Sequence, residues 1–300
     1  MAETVLSELS NALANAVEKA GASTVTVGAR RRLAATGIAW GADGVILTAN
    51  HVVERDEDIR IGLPDGGEAA AKLVGRDPGS DLAVLKLADG QLAAADRAPA
   101  DSARVGHMVL AIGRPSSEGP MASGGVISAV GGPWRTFTGG QVESYIRADV
   151  TFYPGFSGGP LVDTEGRVVG INSSRLRRGA GVTIPTASAA RIADALLSQG
   201  RIKRGYLGIG NQPVRLPGAL AAKAGQDTGL LIVSVESGTP ADRAGLLVGD
   251  IVVKMSGTAV KDTDDLQAQL GSESVGKATT ITLLRGGELT EVPITVGERS

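Results

Sequence analysis

The stretch Pro154-Gly155-Phe156-Ser157-Gly158-Gly159-Pro160-Leu161 places one serine among glycines, directly before an apolar run. Glycine adopts backbone angles that other residues avoid, so this loop can turn several amide groups toward one point. Such amides can stabilise an oxyanion, and the serine becomes a nucleophile when a neutral imidazole takes its proton. The sequence therefore makes Ser157 a candidate nucleophile, with the N–H groups of Gly155 and Ser157 as candidate oxyanion donors. Taken alone, a serine flanked by glycines is usually an ordinary loop.

Two further residues supply the groups that such a serine needs. His51 follows shortly after the apolar run Val45–Thr48, and Asp81 directly precedes the apolar run Leu82–Leu87. A buried carboxylate holds an imidazole in one tautomer and stabilises its charged form. Taken alone, His51 could be an ordinary histidine in a turn, and Asp81 could simply cap a strand. Together, in the order His, Asp, Ser, they predict a catalytic triad of His51, Asp81 and Ser157.

The chain around these residues consists of short β-rich runs separated by Gly, Asp or Pro. Two sets of six such runs occur without helices between them, which predicts a mostly β fold with two closed, six-stranded antiparallel barrels. The barrels cover about residues 22–100 and 103–186, and Gly90–Ser102 links them. The first set is Thr24–Val27, Ala34–Trp40, Val45–Thr48, Ile59–Leu63, Ala69–Val74 and Leu82–Leu87; the second is Met108–Gly113, Met121–Val130, Ser144–Ala148, Pro160–Val162, Val168–Ser173 and Val182–Pro185.

Helical patterns flank the barrels and divide the chain. Residues 1–21 form an N-terminal helical segment whose stripe packs on the next domain or on another subunit, and a helix over Ala187–Gly200 closes a domain of residues 22–200. A basic run, Arg201–Arg204, follows as the boundary. Residues 204–297 form a β-rich domain with two short helices. The N-terminal stripe is Leu6, Leu9, Leu13 and Val17; the late helices are Thr239–Ala244 and Asp264–Leu270, the latter with Thr263 as N-cap.

Composition argues against several classes of partner and cofactor. The 30 Lys and Arg nearly balance the 32 Asp and Glu, so no excess of positive charge favours nucleic acid or an anionic membrane. The chain has no cysteine, and His107 has no neighbouring ligand residues, so we expect no metal and no cofactor. The cluster Arg30–Arg32 is interpreted as a solvated loop, and Gly271–Ala278 as a turn, since it lacks the Ser or Thr of a P-loop.

The N-terminus bears early acidic residues and no apolar run of signal-peptide length. No segment approaches the roughly 18 apolar residues of a membrane span. The sequence as written predicts a cytoplasmic protein, and an extracytoplasmic one if an export signal has been removed.

Residues 22–200 resemble the trypsin-like serine proteases, specifically the HtrA/Deg group. The matching stretches are Thr36–Val53, Ser80–Leu87, Ala111–Pro115, Pro154–Leu161 and Gly166–Asn172, and the PDZ signatures are Gly205–Gly210 and Gly238–Ile251. The resemblance implies a chymotrypsin-like double barrel followed by a PDZ domain. It implies ATP-independent cleavage of misfolded or exposed polypeptides in protein quality control, often by homotrimers.

The resemblance also assigns binding residues. The primary specificity pocket would comprise Thr151, Phe152, Val182 and Thr183, and an uncharged Thr151 predicts cleavage after small or medium apolar residues such as Val, Ala or Leu. A peptide C-terminus would bind the PDZ domain by adding a strand to its sheet. The residues of this groove would be Tyr206, Leu207, Gly208, Ile209, Leu266 and Leu270. The alternative for Leu266 and Leu270 is a place in the core.

Two departures from the family pattern leave a different class of function open. Phe156 stands where the superfamily usually has Asp or Asn, and Tyr153 is one of two aromatic residues just before Pro154. The alternative is therefore a proteolytically inactive, PDZ-bearing binding scaffold or holdase.

Overall fold

A computed structural model describes residues 4–31, 33–135, 141–177 and 181–298 of the 300-residue chain. Arg32 of the basic cluster and the first three residues of the N-terminal segment lie outside these ranges. The chain forms two compact units, one ending at Ile202 and the other beginning at Lys203. Among the described residues, no helix combines the length and the apolar character that crossing a membrane requires.

Helix α1 spans Val5–Gly21 and begins at Thr4, whose hydroxyl accepts the N–H of Ser7. Its buried face is shorter than the sequence predicts. Ala16 and Ala20 are buried and Leu13 and Val17 are half-buried against the core, but the predicted stripe members Leu6 and Leu9 face solvent, Leu6 at 77% exposure. The helix therefore packs on its unit only through its C-terminal half.

The first barrel confirms the six strands predicted before residue 90. Its strands close in the order β1-β2-β3-β6-β5-β4, each pair antiparallel. Val25, Ile46, Ile61 and Leu85 fill its interior with the other members of one core cluster. The strands are β1 (Thr24–Gly28), β2 (Ala35–Ala39), β3 (Val45–Ala49), β4 (Ile59–Gly62), β5 (Glu68–Asp77) and β6 (Leu82–Leu87).

The second barrel closes in the order β11-β14-β13-β12-β7-β8, which confirms the second predicted set. A two-stranded sheet, β9 and β10, stands outside the barrel. A core cluster between the barrels joins Leu47 and Leu82 to Ile112, Ile171 and residues of the helices. The strands are β7 (Met108–Gly113), β8 (Met121–Gly131), β9 (Trp134–Arg135), β10 (Gln141–Val142), β11 (Tyr145–Ala148), β12 (Pro160–Val162), β13 (Val168–Ser173) and β14 (Val182–Pro185).

Helix α2, Thr186–Gln199, follows the second barrel and packs against β5, β6 and β13. Gly200 ends it in the left-handed conformation, with φ of 72°, and donates its N–H to the carbonyl of Leu196. This is the C-cap geometry that glycine favours.

The second unit is built on a sheet in the order β16-β17-β18-β20-β21, with β19 paired to β18 and a small β15–β22 pair beside it. Its described helices are α3 (Gly218–Ala224), α4 (Pro240–Arg243) and α5 (Thr263–Gln269). The strands are β15 (Gly205–Tyr206), β16 (Ile209–Arg215), β17 (Thr228–Val235), β18 (Ile251–Met255), β19 (Thr258–Ala259), β20 (Ala278–Arg285), β21 (Glu288–Thr295) and β22 (Gly297–Glu298).

Two sequence predictions for this unit were wrong. Helix α3 was missed because its start, Gly218 after Pro217, resembles a turn more than a helix. The N-cap of α5 is Asp262, not Thr263: the Asp262 carboxylate accepts the N–H groups of Asp264 and Asp265. Asp and Thr both cap helices well, so their sequence does not distinguish these neighbours.

An ion pair between a buried carboxylate and a half-buried arginine links two parts of the second unit. Asp250 is 2% exposed and accepts two hydrogen bonds from Arg285, at 2.8 and 2.7 Å, and one from the N–H of Leu247 at 2.8 Å. Burial alone would raise the pKa of the Asp250 carboxyl, but the hydrogen bonds from Arg285 and Leu247 and the Arg285 charge together lower it below its ordinary value. The native state therefore prefers the ionised carboxylate more strongly than the unfolded chain does.

We expect Asp250→Asn to destabilise the second unit by about 1–3 kcal/mol at pH 7, because Arg285 loses a charged acceptor. A lowered native pKa gives stability that is present above the unfolded-state pKa, about 3.9, and is lost as pH falls through the native value. The difference between wild type and variant should therefore shrink below about pH 4.

Calorimetry of the full chain from pH 3 to 7 measures this difference. Tryptophan emission identifies the transition of the first unit, since both tryptophans, Trp40 and Trp134, precede residue 203. Asp227→Asn, at an exposed position of the second unit, is the matched control. An Asp250→Asn difference that persists unchanged at pH 3 would contradict the assignment.

Candidate active site

His51 and Asp81 come together because β3 and β6 are antiparallel neighbours, with Ala49 opposite Leu82. His51 lies in a 3-10 turn just after β3, and Asp81 directly precedes β6. The Asp81 carboxylate accepts the main-chain N–H of His51 at 2.9 Å through Oδ1 and lies 2.7 Å from His51 Nδ1 through Oδ2. This arrangement selects the tautomer with hydrogen on Nδ1, which leaves Nε2 free to accept a proton.

Asp81 has an unusual backbone conformation, and its carboxylate accepts a further hydrogen bond. It is 3% exposed, and its φ of 57° lies in the left-handed region. The hydroxyl of Ser173 donates to Oδ2 at 2.5 Å. Hydrogen bonds to both oxygens satisfy the buried carboxylate and fix its orientation. Ser173 was missed by the sequence analysis, although it directly follows the matched stretch Gly166–Asn172.

The loop that carries Ser157 depends on its glycines. Gly155 and Gly158 have φ of 90° and 87°. A Cβ on Gly158 would lie 2.2 Å from the carbonyl oxygen of Thr36, so no side chain fits there. Within the described ranges, the N–H groups of Gly155 and Ser157 donate to no other residue, as candidate oxyanion donors require.

Ser157 Oγ faces the end of β13 in this structure. It lies 2.9 Å from Ser174 Oγ and accepts the Ser174 N–H at 3.2 Å. His51 and Ser157 line the same cleft of about 650 Å³, yet among the described residues the hydrogen-bond partner of Ser157 Oγ is Ser174 and not His51. Ser174 was also missed from the sequence. The other residues that line this cleft are Arg30, Arg31, Leu33, Glu54, Phe152, Tyr153, Pro154 and Gly155.

Phe156 points away from the cleft, into the second barrel. It is 0% exposed and packs in the core cluster that includes Ile127, Ile146 and Leu161. A Cβ at Gly113 would lie 2.3 Å from the Phe156 ring, so the glycine provides the space for this side chain. The unusual residue beside Ser157 therefore serves as an apolar anchor of the loop, and its contacts do not obstruct the candidate oxyanion donors.

The structure brings only one of the four predicted specificity-pocket residues to the cleft. Phe152 lines it and packs against Gly181, while Thr151 is exposed and donates its N–H to Ser123. Val182 and Thr183 are buried: Val182 belongs to the core between the barrels, and the Thr183 hydroxyl donates to Asn172. Sequence position alone did not distinguish residues that face the cleft from residues behind it.

The predicted peptide-binding residues surround the start of β16. Tyr206 and Gly208 precede the strand, and the Tyr206 hydroxyl donates to Glu236 at 2.5 Å. Leu207, Leu266 and Leu270 are buried in the core of the second unit, and Ile209, half-buried, packs against that core. Strand β16 is the edge strand of its sheet, and helix α5 lies next to it. A cluster of three or more residues suited to a metal ion is absent from the described part of the chain.

Comparison with known proteins agrees with this architecture. Residues 35–171 match the family model for the trypsin-like peptidase domain, and residues 205–296 match the model for the PDZ domain. The first match contains His51, Asp81 and Ser157, and the second contains all six predicted groove residues.

Curated relatives include probable periplasmic serine endoproteases described as DegP-like. The one from Halomonas elongata is 37% identical over 275 residues, which are 89% of this chain and 57% of the relative. The one from Chlamydia trachomatis is 34% identical over 266 residues, 87% of this chain and 53% of the relative. The chain thus spans just over half the length of these curated relatives.

Solved structures match over almost their whole length. The HtrA-type protease AlgW with a decapeptide is 30% identical, with a TM-score of 0.78, covering 96% of this chain and 99% of that one. The serine endoprotease from Yersinia pestis is 31% identical, with a TM-score of 0.79, covering 96% and 98%. With a trypsin-like peptidase domain followed by a PDZ domain, this chain belongs to the HtrA-type family of serine proteases.

Proposed function

We propose that this protein is an ATP-independent serine endopeptidase in which Ser157 is the nucleophile, His51 the general base and Asp81 the residue that orients His51. The observation that carries the proposal is the His51–Asp81 hydrogen-bonded pair, whose histidine lines the cleft that contains Ser157. Among the described residues, none forms a hydrogen bond with His51 Nε2. Family membership supports it, since the relatives are named as serine endoproteases.

The reaction follows from these positions. The proposed reaction requires Ser157 Oγ to exchange Ser174 for His51 as its hydrogen-bond partner. Nε2 then takes the hydroxyl proton as Oγ bonds to the peptide carbonyl carbon. The carbonyl oxygen becomes an oxyanion, which the N–H groups of Gly155 and Ser157 stabilise. The C–N bond breaks as His51 returns the proton to the leaving amine. Water then gives a proton to His51 and bonds to the acyl carbon. The bond from this carbon to Oγ breaks, His51 returns the proton to Oγ, and the carboxylic acid product leaves.

Unfolded or misfolded polypeptides are the substrates that this proposal favours, and peptide C-termini are the ligands of the PDZ domain. The cleft lined by His51 and Ser157 can accommodate an extended polypeptide. In the second unit, β16 is an edge strand and can pair with an added peptide strand. One relative, the HtrA-type protease AlgW, was solved with a decapeptide and with a tripeptide, which supports peptide binding. Cleavage after small or medium apolar residues remains part of the proposal, and mass-spectrometric mapping of cleavage products tests it.

Homo-oligomerisation and an extracytoplasmic compartment complete the proposal. The exposed apolar residues Val5, Leu6 and Leu9 of α1 offer a surface for another subunit, in keeping with the expected homotrimer. The relatives' names favour the periplasm over the cytoplasmic expectation.

The direct test is labelling with a fluorophosphonate probe, which reacts with an activated serine. We expect wild-type protein to be labelled and Ser157→Ala protein to be unlabelled, because the probe bonds to Oγ. A folded wild-type chain that does not react would favour the inactive scaffold instead.

A further inference from the structure

Thr36 connects the first barrel to the loop that carries Ser157. It lies in β2 and is 0% exposed. Its hydroxyl donates to the carbonyl oxygen of Gly155 at 2.6 Å, and its N–H donates to the carbonyl oxygen of Ser157 at 3.4 Å. One residue of the first barrel therefore holds the carbonyls of both residues whose amides are proposed as oxyanion donors.

Thr36 is itself held from two sides. The N–H of Arg114 donates to Thr36 Oγ1 at 2.8 Å, and the hydroxyl of Thr48 donates to the Thr36 carbonyl at 2.7 Å. An amide N–H can only donate and a carbonyl can only accept, so the direction of both bonds at Oγ1 is fixed. The Thr36 hydroxyl must accept from Arg114 and donate to Gly155, and an apolar side chain of the same shape can do neither.

The loop also lies directly on Thr36, with little free space. A Cβ on Gly158 would meet the Thr36 carbonyl at 2.2 Å, and one on Gly159 would meet Thr36 Cγ2 at 3.0 Å. Close-packed interiors transmit small displacements, because a shifted atom finds no void to occupy. A change at Thr36 therefore reaches the backbone of Gly155 and Ser157.

We infer that Thr36 is a positioning residue for the oxyanion hole, acting through the backbone of Gly155 and Ser157 without touching substrate. The inference rests on the proposed function, since it assigns Thr36 to the same reaction. Fixing the two carbonyls restrains the backbone angles at those residues, and these angles set where their N–H groups point. The oxyanion forms only along the reaction path, so misdirected amides slow the chemical step more than they weaken substrate binding.

The decisive variant is Thr36→Val, which keeps the shape of the side chain and removes the hydroxyl. We expect kcat for hydrolysis of fluorescently labelled casein to fall about 10- to 100-fold, since misplacing catalytic groups by about 1 Å costs on that order. KM should change less than about threefold, because the groups lost act on the transition state. The rate of Ser157 labelling by the fluorophosphonate probe should fall in parallel with kcat.

Two further variants separate positioning from stability. Thr36→Ser retains the hydroxyl and should restore kcat to within about threefold of wild type. Thr24→Val is the matched control: Thr24 is equally buried, and its hydroxyl donates at 2.8 Å to the carbonyl of Ala20, away from the cleft. It should lower the unfolding temperature without lowering kcat. Circular dichroism checks the fold of each variant, and Thr36→Ala replaces Thr36→Val should the valine variant fail to fold.

Unchanged kcat in folded Thr36→Val or Thr36→Ala protein would overturn the inference while leaving the proposed function intact. An equal loss of kcat in Thr24→Val, or no recovery in Thr36→Ser, would overturn it too, by showing a general effect of destabilisation. A wild-type chain without hydrolysis or labelling would overturn the proposed function, and the inference with it.

Discussion

Replacing Ser157 by alanine should lower kcat for casein hydrolysis by about a millionfold, the loss seen when the nucleophile of another triad enzyme is removed. Without Oγ no acyl-enzyme forms, and the remaining rate reflects substrate binding and the oxyanion donors alone. KM should change little, because Ser157 is 6% exposed and offers substrate little surface beyond its hydroxyl. The measurement is steady-state hydrolysis by protein purified from a host deficient in its own proteases.

The same mechanism predicts how the effects of substituting Ser157 and His51 combine. They act as one unit in proton transfer, so the Ser157→Ala, His51→Ala double variant should be about as slow as Ser157→Ala alone. Ser198→Ala is the matched control, at an exposed serine of α2 that should leave kcat unchanged. Casein cleavage that continues at more than about a thousandth of the wild-type rate in Ser157→Ala would contradict the assignment of the nucleophile.

The sequence predicted the barrels well because each strand is short, apolar and bounded by turn residues. Leu82–Leu87 and Val168–Ser173 have the same ends in the sequence prediction and in the structure. Strand β5 is longer than predicted, Glu68–Asp77, because its ends are polar and are set by pairing with β4 and β6 rather than by hydrophobic pattern. Local pattern locates an element, while partner strands determine its length.

In the candidate site, too, the sequence predicted some features and not others. The motif identified His51, Asp81 and Ser157, but side-chain partners could not be predicted, since they depend on which segments the fold brings together. Ser174 follows Ser157 by 17 positions, and Thr36 precedes it by 121, yet both contact its loop. The packing of Phe156 could not be predicted for the same reason, because the space for its ring comes from Gly113 on another strand.

Asp81→Asn should lower kcat by about ten-thousandfold while leaving the fold intact, because an asparagine of nearly the same shape stabilises the wrong tautomer of His51. Asp81 accepts three hydrogen bonds: from the main chain of His51, from its Nδ1–H and from the Ser173 hydroxyl. An amide has one oxygen and one NH2 group, and it cannot accept at both of its positions. The main-chain N–H of His51 can only donate, so the asparagine oxygen is expected at the Oδ1 position. The NH2 group then faces Nδ1 and the Ser173 hydroxyl, which can accept as well as donate.

If the NH2 group of the asparagine faces Nδ1, this nitrogen becomes the acceptor and the hydrogen moves to Nε2. His51 can then no longer take the proton of Ser157, although every heavy atom keeps its place. Asp194→Asn makes the same chemical change at an exposed position of α2 and should leave kcat unaltered. The loss should appear in kcat and in the fluorophosphonate labelling rate together, with an unchanged circular dichroism spectrum. An Asp81→Asn protein within about tenfold of wild type at pH 7 would show that the tautomer of His51 is set by a group other than Asp81.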